Sequence, residues 1–142
     1  MRVGILTVST SRAGGGGGDE SGDELERFAR EIGGEVAARE IVSDERDAIE
    51  ERLRRWSDEG RCDLILTTGG TGVAPRDITP EATLAVIDRA VPGIAEAMRA
   101  ASREHTRHWM LSRAVAGIRG ATLIVNFPGS PRSLGASASD HR

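Results

Sequence analysis

Two periodicities alternate along this chain, and each change of period marks an element. Val3, Ile5, Leu6 and Val8 sit in a run too apolar to alternate, which predicts a strand covered on both faces over residues 3–8. Leu25, Phe28, Ala29 and Ile32 recur instead at helical spacing, opened by a capping box at Ser21-Gly22-Asp23-Glu24 and stopped by Gly33-Gly34. Residues 35–42 predict a second strand with Val36, Ala38 and Ile41 turned inward. Ser43-Asp44 then starts a longer helix, with Ile49, Leu53 and Trp56 as its apolar stripe and Glu50, Glu51, Arg52, Arg54 and Arg55 on the solvated side. Leu64, Ile65 and Leu66 predict a third buried strand over 64–67. Helices follow over 80–88 and 94–103, the second after a break at Val91-Pro92-Gly93. Residues 112–119 and 121–126 predict two adjacent strands parted at Gly120.

Strands alternating with helices predict an α/β fold: a mostly parallel sheet with helices on both faces, in three α/β/α layers. Residues 1–134 read as a single domain, and residues 135–142 as a disordered tail without apolar periodicity. Ligands of such sheets bind at the carboxyl ends of the strands. The polar loops 9–12, 43–44, 68–77 and 126–131 all leave strand ends and are expected to meet at one mouth.

The loop after the third strand carries the chemistry. Thr67-Thr68-Gly69-Gly70-Thr71-Gly72 is followed by Arg76-Asp77-Ile78-Thr79-Pro80-Glu81, giving the order strand, glycine loop, helix. Glycines let backbone N–H groups approach an anion closely, and helix N-termini favour negative charge. Thr79 reads as the helix cap, with Pro80 at the first helical position and a carboxylate next. Asp77 is left outside the cap, where it could hold a metal ion near phosphates. The combination predicts a phosphate-handling site.

Composition removes several alternatives. The chain has 142 residues, 38% of them hydrophobic, and a formal charge of −3, which describes a mildly acidic globule and gives no support to nucleic-acid binding. Aromatic content is 3%, without tyrosine, so stacking platforms for single strands are not indicated. The 19 basic side chains are all arginine, which excludes a lysine nucleophile or Schiff base. A single cysteine, Cys62, excludes an internal disulfide and reads as a packed thiol at a strand entrance. His105 and His108 have no third ligand nearby and are expected to make polar contacts, not a zinc site. No long apolar segment precedes the first strand or spans a membrane, so the expectation is a cytoplasmic protein without a membrane partner.

Further motifs stand in order along the chain: Ala82-Thr83 after the RDITPE run, Pro92-Gly93 with Glu96 and Met98-Arg99, Leu111-Ser112-Arg113, and Asn126-Phe127-Pro128-Gly129-Ser130-Pro131. Together with the glycine loop they resemble the molybdopterin adenylyltransferase family (MogA/MoaB type) of molybdenum cofactor biosynthesis, over roughly residues 2–133. The resemblance implies transfer of an adenylyl group from Mg-ATP to the terminal phosphate of molybdopterin, with release of pyrophosphate. It implies a homotrimer that passes its product to a molybdenum insertase. It assigns the family's two aspartates to Asp44 and Asp77, as catalytic residues and Mg²⁺ ligands. It also assigns the molybdopterin pocket to Thr68, Gly69, Gly70, Thr71, Gly72, Asn126, Pro128, Gly129 and Ser130, and the nucleotide to Ser9, Ser11, Arg12, Ser21 and Gly22.

Each assignment has a plainer counterpart. Asp44 is also an acceptable helix cap, and Asp77 an ordinary turn aspartate. The glycine run 14–18 is either a lid over the nucleotide or a floppy loop. Pro128-Gly129 could be a strand-ending turn. Arg99 and Arg113 read equally as phosphate ligands or salt-bridge partners, and Glu96 as site support or helix surface. The chain departs from the family where a closing amphipathic helix normally follows residue 134. The alternative function is therefore a catalytically silent molybdopterin-binding relative.

Overall fold

A computed structural model describes residues 1–15 and 17–127. Its centre is a six-stranded sheet in the order β2-β1-β3-β6-β5-β4. Strands β1 (Arg2–Val8), β2 (Glu35–Val42), β3 (Leu64–Thr68) and β6 (Thr122–Asn126) run parallel, so their carboxyl ends share one edge. Strand β5 (Ala116–Arg119) returns antiparallel beside β6 through Gly120, whose φ of 58° suits the reversal. The short edge strand β4 (Arg89–Ala90) pairs antiparallel with β5. The mostly parallel α/β expectation holds, and the hairpin was legible at Gly120. Two residues carry no periodicity, which is why β4 was not foreseen.

The apolar runs divide by parity between two cores, as a pleated strand requires. Val3 and Ile5 of β1, Leu64 and Leu66 of β3, and Val125 of β6 pack with Leu25 and Ala29 of α2 (Glu20–Glu31) and Ile94 and Met98 of α5 (Pro92–Ser102). Leu6, Val8, Ile65 and Ile124 face the other way, against Ile49, Leu53 and Trp56 of α3 (Arg46–Asp58) and Ala82 and Val86 of α4 (Thr79–Val86). Gly4 belongs to this second face. A Cβ there would stand 2.8 Å from the Trp56 ring and 2.7 Å from Cys62 Sγ, so the missing side chain is what lets tryptophan lie flat on the sheet.

Helix ends depart from expectation in a consistent way. Helix α2 begins at Glu20, capped by Asp19, whose carboxylate accepts the Gly22 N–H at 3.0 Å; Ser21 lies inside the first turn and caps nothing. Phe28 and Ile32 remain partly exposed, although Phe28 meets Phe127 edge-on at 5.3 Å. Helix α3 begins at Arg46 without a side-chain cap, because Asp44 turns to Thr10 instead. Glu50 is buried and not solvated: Arg46 and Arg54, each four residues away, enclose its carboxylate. Helix α4 starts one residue earlier than expected and ends at Val86, and Thr79 does not cap it. A four-residue helix α1 (Thr10–Ala13) and a 3₁₀ turn (Trp109–Leu111) complete the elements. The expected tail 135–142 falls outside the described residues.

Candidate active site

The loops after β1 and β2 are tied to one another at the carboxyl edge of the sheet. Ser9 N–H donates to Val42 O at 2.8 Å, joining the ends of β1 and β2. One residue on, Thr10 and Asp44 bond twice: the Thr10 hydroxyl donates to Asp44 Oδ1, and Asp44 N–H donates to Thr10 Oγ1 at 3.1 Å. The two loops expected to flank nucleotide and metal therefore touch. Asp44 is not a cap, which removes its plainer reading.

The glycine loop is held entirely by its carbonyls. Thr79 donates its hydroxyl to Gly69 O at 2.9 Å and its N–H to Gly70 O at 3.1 Å. Arg113 donates its N–H to Thr71 O at 2.8 Å and Nε–H to Gly72 O at 2.7 Å. Among the described residues, the N–H groups of Gly70, Thr71 and Gly72 have no such partner. Gly69 and Gly70 adopt φ of 96° and 72°, and a Cβ at either would fall 2.3 Å from Val8 O or 2.4 Å from Thr79 Oγ1. Both the backbone conformation and the close approach require glycine. A row of N–H groups backed by satisfied carbonyls is a cradle for an anion.

Asp77 closes this loop. Its Oδ2 accepts the Ala74 N–H at 3.0 Å and its own N–H donates to Ala74 O at 2.9 Å, so it does the work of a turn aspartate. Its Oδ1 takes no hydrogen bond among the described residues, and one carboxylate oxygen is free for a cation. No three His, Cys, Asp or Glu side chains gather as a metal cluster among the described residues. Mg²⁺ does not need one: it is held by one or two carboxylates together with substrate oxygens. Asp77 offers its free oxygen, and Asp44 is a second carboxylate on the loop after β2, its Oδ1 bonded to Thr10.

The remaining candidates divide. Ser9 caps α1, accepting the Arg12 N–H at 3.4 Å, and its hydroxyl lies 3.4 Å from that of the exposed Ser11. Arg12 Nε–H donates to Gly18 O. Ser21 is half-buried, whereas Gly22 is packed so closely that a Cβ would reach 2.1 Å from Asp19 Oδ2. Thr68 and Thr71 are buried. Asn126 is fully buried, with its amide donating to Thr67 Oγ1 at 2.9 Å and Thr83 Oγ1 at 3.0 Å while accepting the Val115 N–H at 3.2 Å. That side chain props the pocket wall from behind. Pro128, Gly129 and Ser130 lie outside the described residues.

Three residues weighed as ligands have other work. Arg99 donates to Ala114 O at 2.7 Å and supports the segment before β5. Arg113 pairs with Glu81 at 2.6 Å, and this bond holds the Glu81 carboxyl below its ordinary range. Glu96 is exposed on α5. Cys62 is buried, and burial pushes its thiol pKa up, in keeping with a packed thiol.

The sequence reading missed Asp19 and Arg39. Asp19 accepts the Thr7 hydroxyl at 3.0 Å as well as the Gly22 N–H, and Arg39 bridges it to Asp23 and Glu26 at 2.8–3.1 Å. The available signal was an aspartate just before Ser21-Gly22, an equally good cap. A groove of about 450 Å³, lined by Asp63, Arg89, Ile94 and Leu123 among others, lies at the opposite, amino edge of the sheet and contains none of the candidate site residues.

Known proteins resemble the whole chain. The profile of a family described as a probable molybdopterin binding domain matches residues 4–140. A Helicobacter pylori (strain J99) protein named molybdopterin adenylyltransferase is 43% identical over 136 residues, spanning 94% of this chain and 77% of its own length. The Escherichia coli K12 protein of that name is 42% identical over 137 residues, spanning 94% and 70%. The structure of the molybdopterin biosynthesis enzyme MoaB from Thermus thermophilus superposes with a TM-score of 0.85 at 50% identity, covering 96% of this chain and 86% of that one.

Proposed function

The chain belongs to the molybdopterin-binding domain family, and from that premise we propose that it is a molybdopterin adenylyltransferase acting in molybdenum cofactor biosynthesis. Its relatives of that name, similar along nearly the whole chain, support the reading. The observation that carries the chemistry is the glycine loop, with its carbonyls satisfied and the N–H groups of Gly70, Thr71 and Gly72 left unpaired by the described protein. Such a row suits a terminal phosphate.

In the proposed reaction an oxygen of the molybdopterin phosphate attacks the α-phosphorus of ATP. The new P–O bond forms as the bond to the β-phosphate bridging oxygen breaks, and pyrophosphate departs. The substrate phosphate is itself the nucleophile, so the protein has no covalent intermediate to form. Its task is positioning and offsetting charge. Gly69, Gly70, Thr71 and Gly72 hold the molybdopterin phosphate, with Thr68 and Asn126 supporting them from the sheet. Ser9, Ser11, Arg12, Ser21 and Gly22 flank the nucleotide on the neighbouring loop. Asp77 and Asp44 would hold Mg²⁺, which would supply positive charge to offset that of the phosphates. The resemblance extends the proposal to a cytoplasmic homotrimer that serves an insertase. Among the described residues no helix is long and apolar enough to cross a membrane.

The test is to mix the purified chain with molybdopterin and Mg-ATP and follow pyrophosphate. Pterin-dependent release is expected, falling by roughly a hundredfold or more in Asp77→Asn. A folded wild-type chain that binds molybdopterin and releases nothing is the binding-only relative, and the catalytic reading fails.

A further inference from the structure

The C=O of one residue and the N–H of the next share a rigid plane and point opposite ways. Fixing the carbonyls of Gly69, Gly70, Thr71 and Gly72 therefore aims the N–H groups of residues 70–73. Thr79 fixes the first two carbonyls from the start of α4, directly after the loop. The other two are fixed from another part of the chain, by Arg113 in the segment between the 3₁₀ turn and β5. Four of its five guanidinium N–H groups are employed. Nε–H goes to Gly72 O, Nη2 to Asp77 O, and Nη1 and Nη2 to the Glu81 carboxylate at 2.6 and 3.3 Å. Glu81 stands in the first turn of α4, so one planar group spans both ends of the loop and the helix that follows.

We propose that Arg113, oriented by Glu81, is a positioning residue: its backbone N–H on Thr71 O and its guanidinium on Gly72 O and Asp77 O fix the end of the glycine loop, so that the loop N–H groups face the substrate phosphates while Arg113 itself does not touch them. The proposal rests on the adenylyltransferase reading for its kinetic consequence, but the clamp itself can be seen without turnover. Lysine cannot reproduce it, because an ammonium group lacks the planar fork that meets Gly72, Asp77 and Glu81 together.

The experiment compares the full chain with Arg113→Ala and Arg113→Lys by amide hydrogen exchange and by pyrophosphate release. In both variants, exchange of the hydrogen-bonded amides of Ala74, Asp77 and Thr79 is expected to quicken about tenfold while β1, β3 and β6 keep their rates. Turnover is expected to fall roughly tenfold to a hundredfold with KM for ATP and molybdopterin changed much less. Millimolar guanidinium is expected to restore part of the loss in Arg113→Ala and none in Arg113→Lys, where the ammonium occupies the space. Unchanged loop exchange in the folded variants overturns the clamp, as does faster exchange spread evenly over the sheet, which is loss of stability alone. If Arg113→Ala does not fold, Arg113→Lys decides by the same two readings. A wild-type chain that releases no pyrophosphate sinks the functional reading, and exchange still decides the clamp.

Discussion

The two ends of the sheet are closed by different means. At the amino edge the bonds are exposed: Arg2 pairs with Asp63 through the backbone and through its side chain. The turn glycine there, Gly60, has φ of 66° and open space where a Cβ would go. At the carboxyl edge the glycines are crowded as well as left-handed, and the buried Thr79 and half-buried Arg113 hold their carbonyls. The amino edge only turns the chain. The carboxyl edge is built to a fixed shape: left-handed glycines crowded against neighbouring atoms, with their carbonyls held, separate it from the amino edge.

The sharpest way to break the contrast is Gly69→Ala. Strained φ and a backbone oxygen 2.3 Å from the new methyl both oppose it, and the expected loss in urea unfolding is roughly 3–4 kcal/mol. Asn126→Ala comes next: it orphans the Val115 N–H and strips two buried threonines of a partner, for an expected about 2–3 kcal/mol. Gly60→Ala at the amino edge has only its φ to overcome, about 1 kcal/mol, with turnover intact. If Gly60→Ala costs as much as Gly69→Ala, the distinction between the edges fails.

The smallest effect is in pH. Glu81 has its pKa lowered, chiefly by the Arg113 hydrogen bond, and Asp63 likewise by the Arg2 N–H. A carboxylate with a depressed folded pKa stabilises the protein above its unfolded pKa, and that contribution fades as pH falls through the folded one. Both are exposed enough that the stability change is slight. The edges should still differ in activity: Glu81→Gln is expected to flatten the acid limb of the rate profile, while Asp63→Asn leaves it unchanged.

The same division explains what the sequence made legible. Strands β1, β2 and β3 and the stripe Ile49, Leu53 and Trp56 were readable because burial imposes a local period. The strand, glycine loop, helix order around Gly69 and Gly70 was readable because glycine spacing marks where the chain turns. The cap of α2 was misread because Asp19 and Ser21 are locally equivalent. Thr7 and Arg39, from other strands, choose between them. Thr79 was misread for the same reason, its hydroxyl turning back to Gly69. Arg113 could not be assigned, since its partners lie 32 to 41 residues away and periodicity carries no sign of them.

Strand order has a consequence during synthesis. The first three strands made are neighbours in the sheet, but β3 gains its second neighbour only with β6, more than fifty residues later. For on the order of several seconds at ribosomal speed, the growing chain therefore presents the unpaired edge of a strand that the finished fold buries completely. Nascent-chain protection, by ribosome proximity or a holding chaperone, matters most for this protein in the interval between residues 68 and 122.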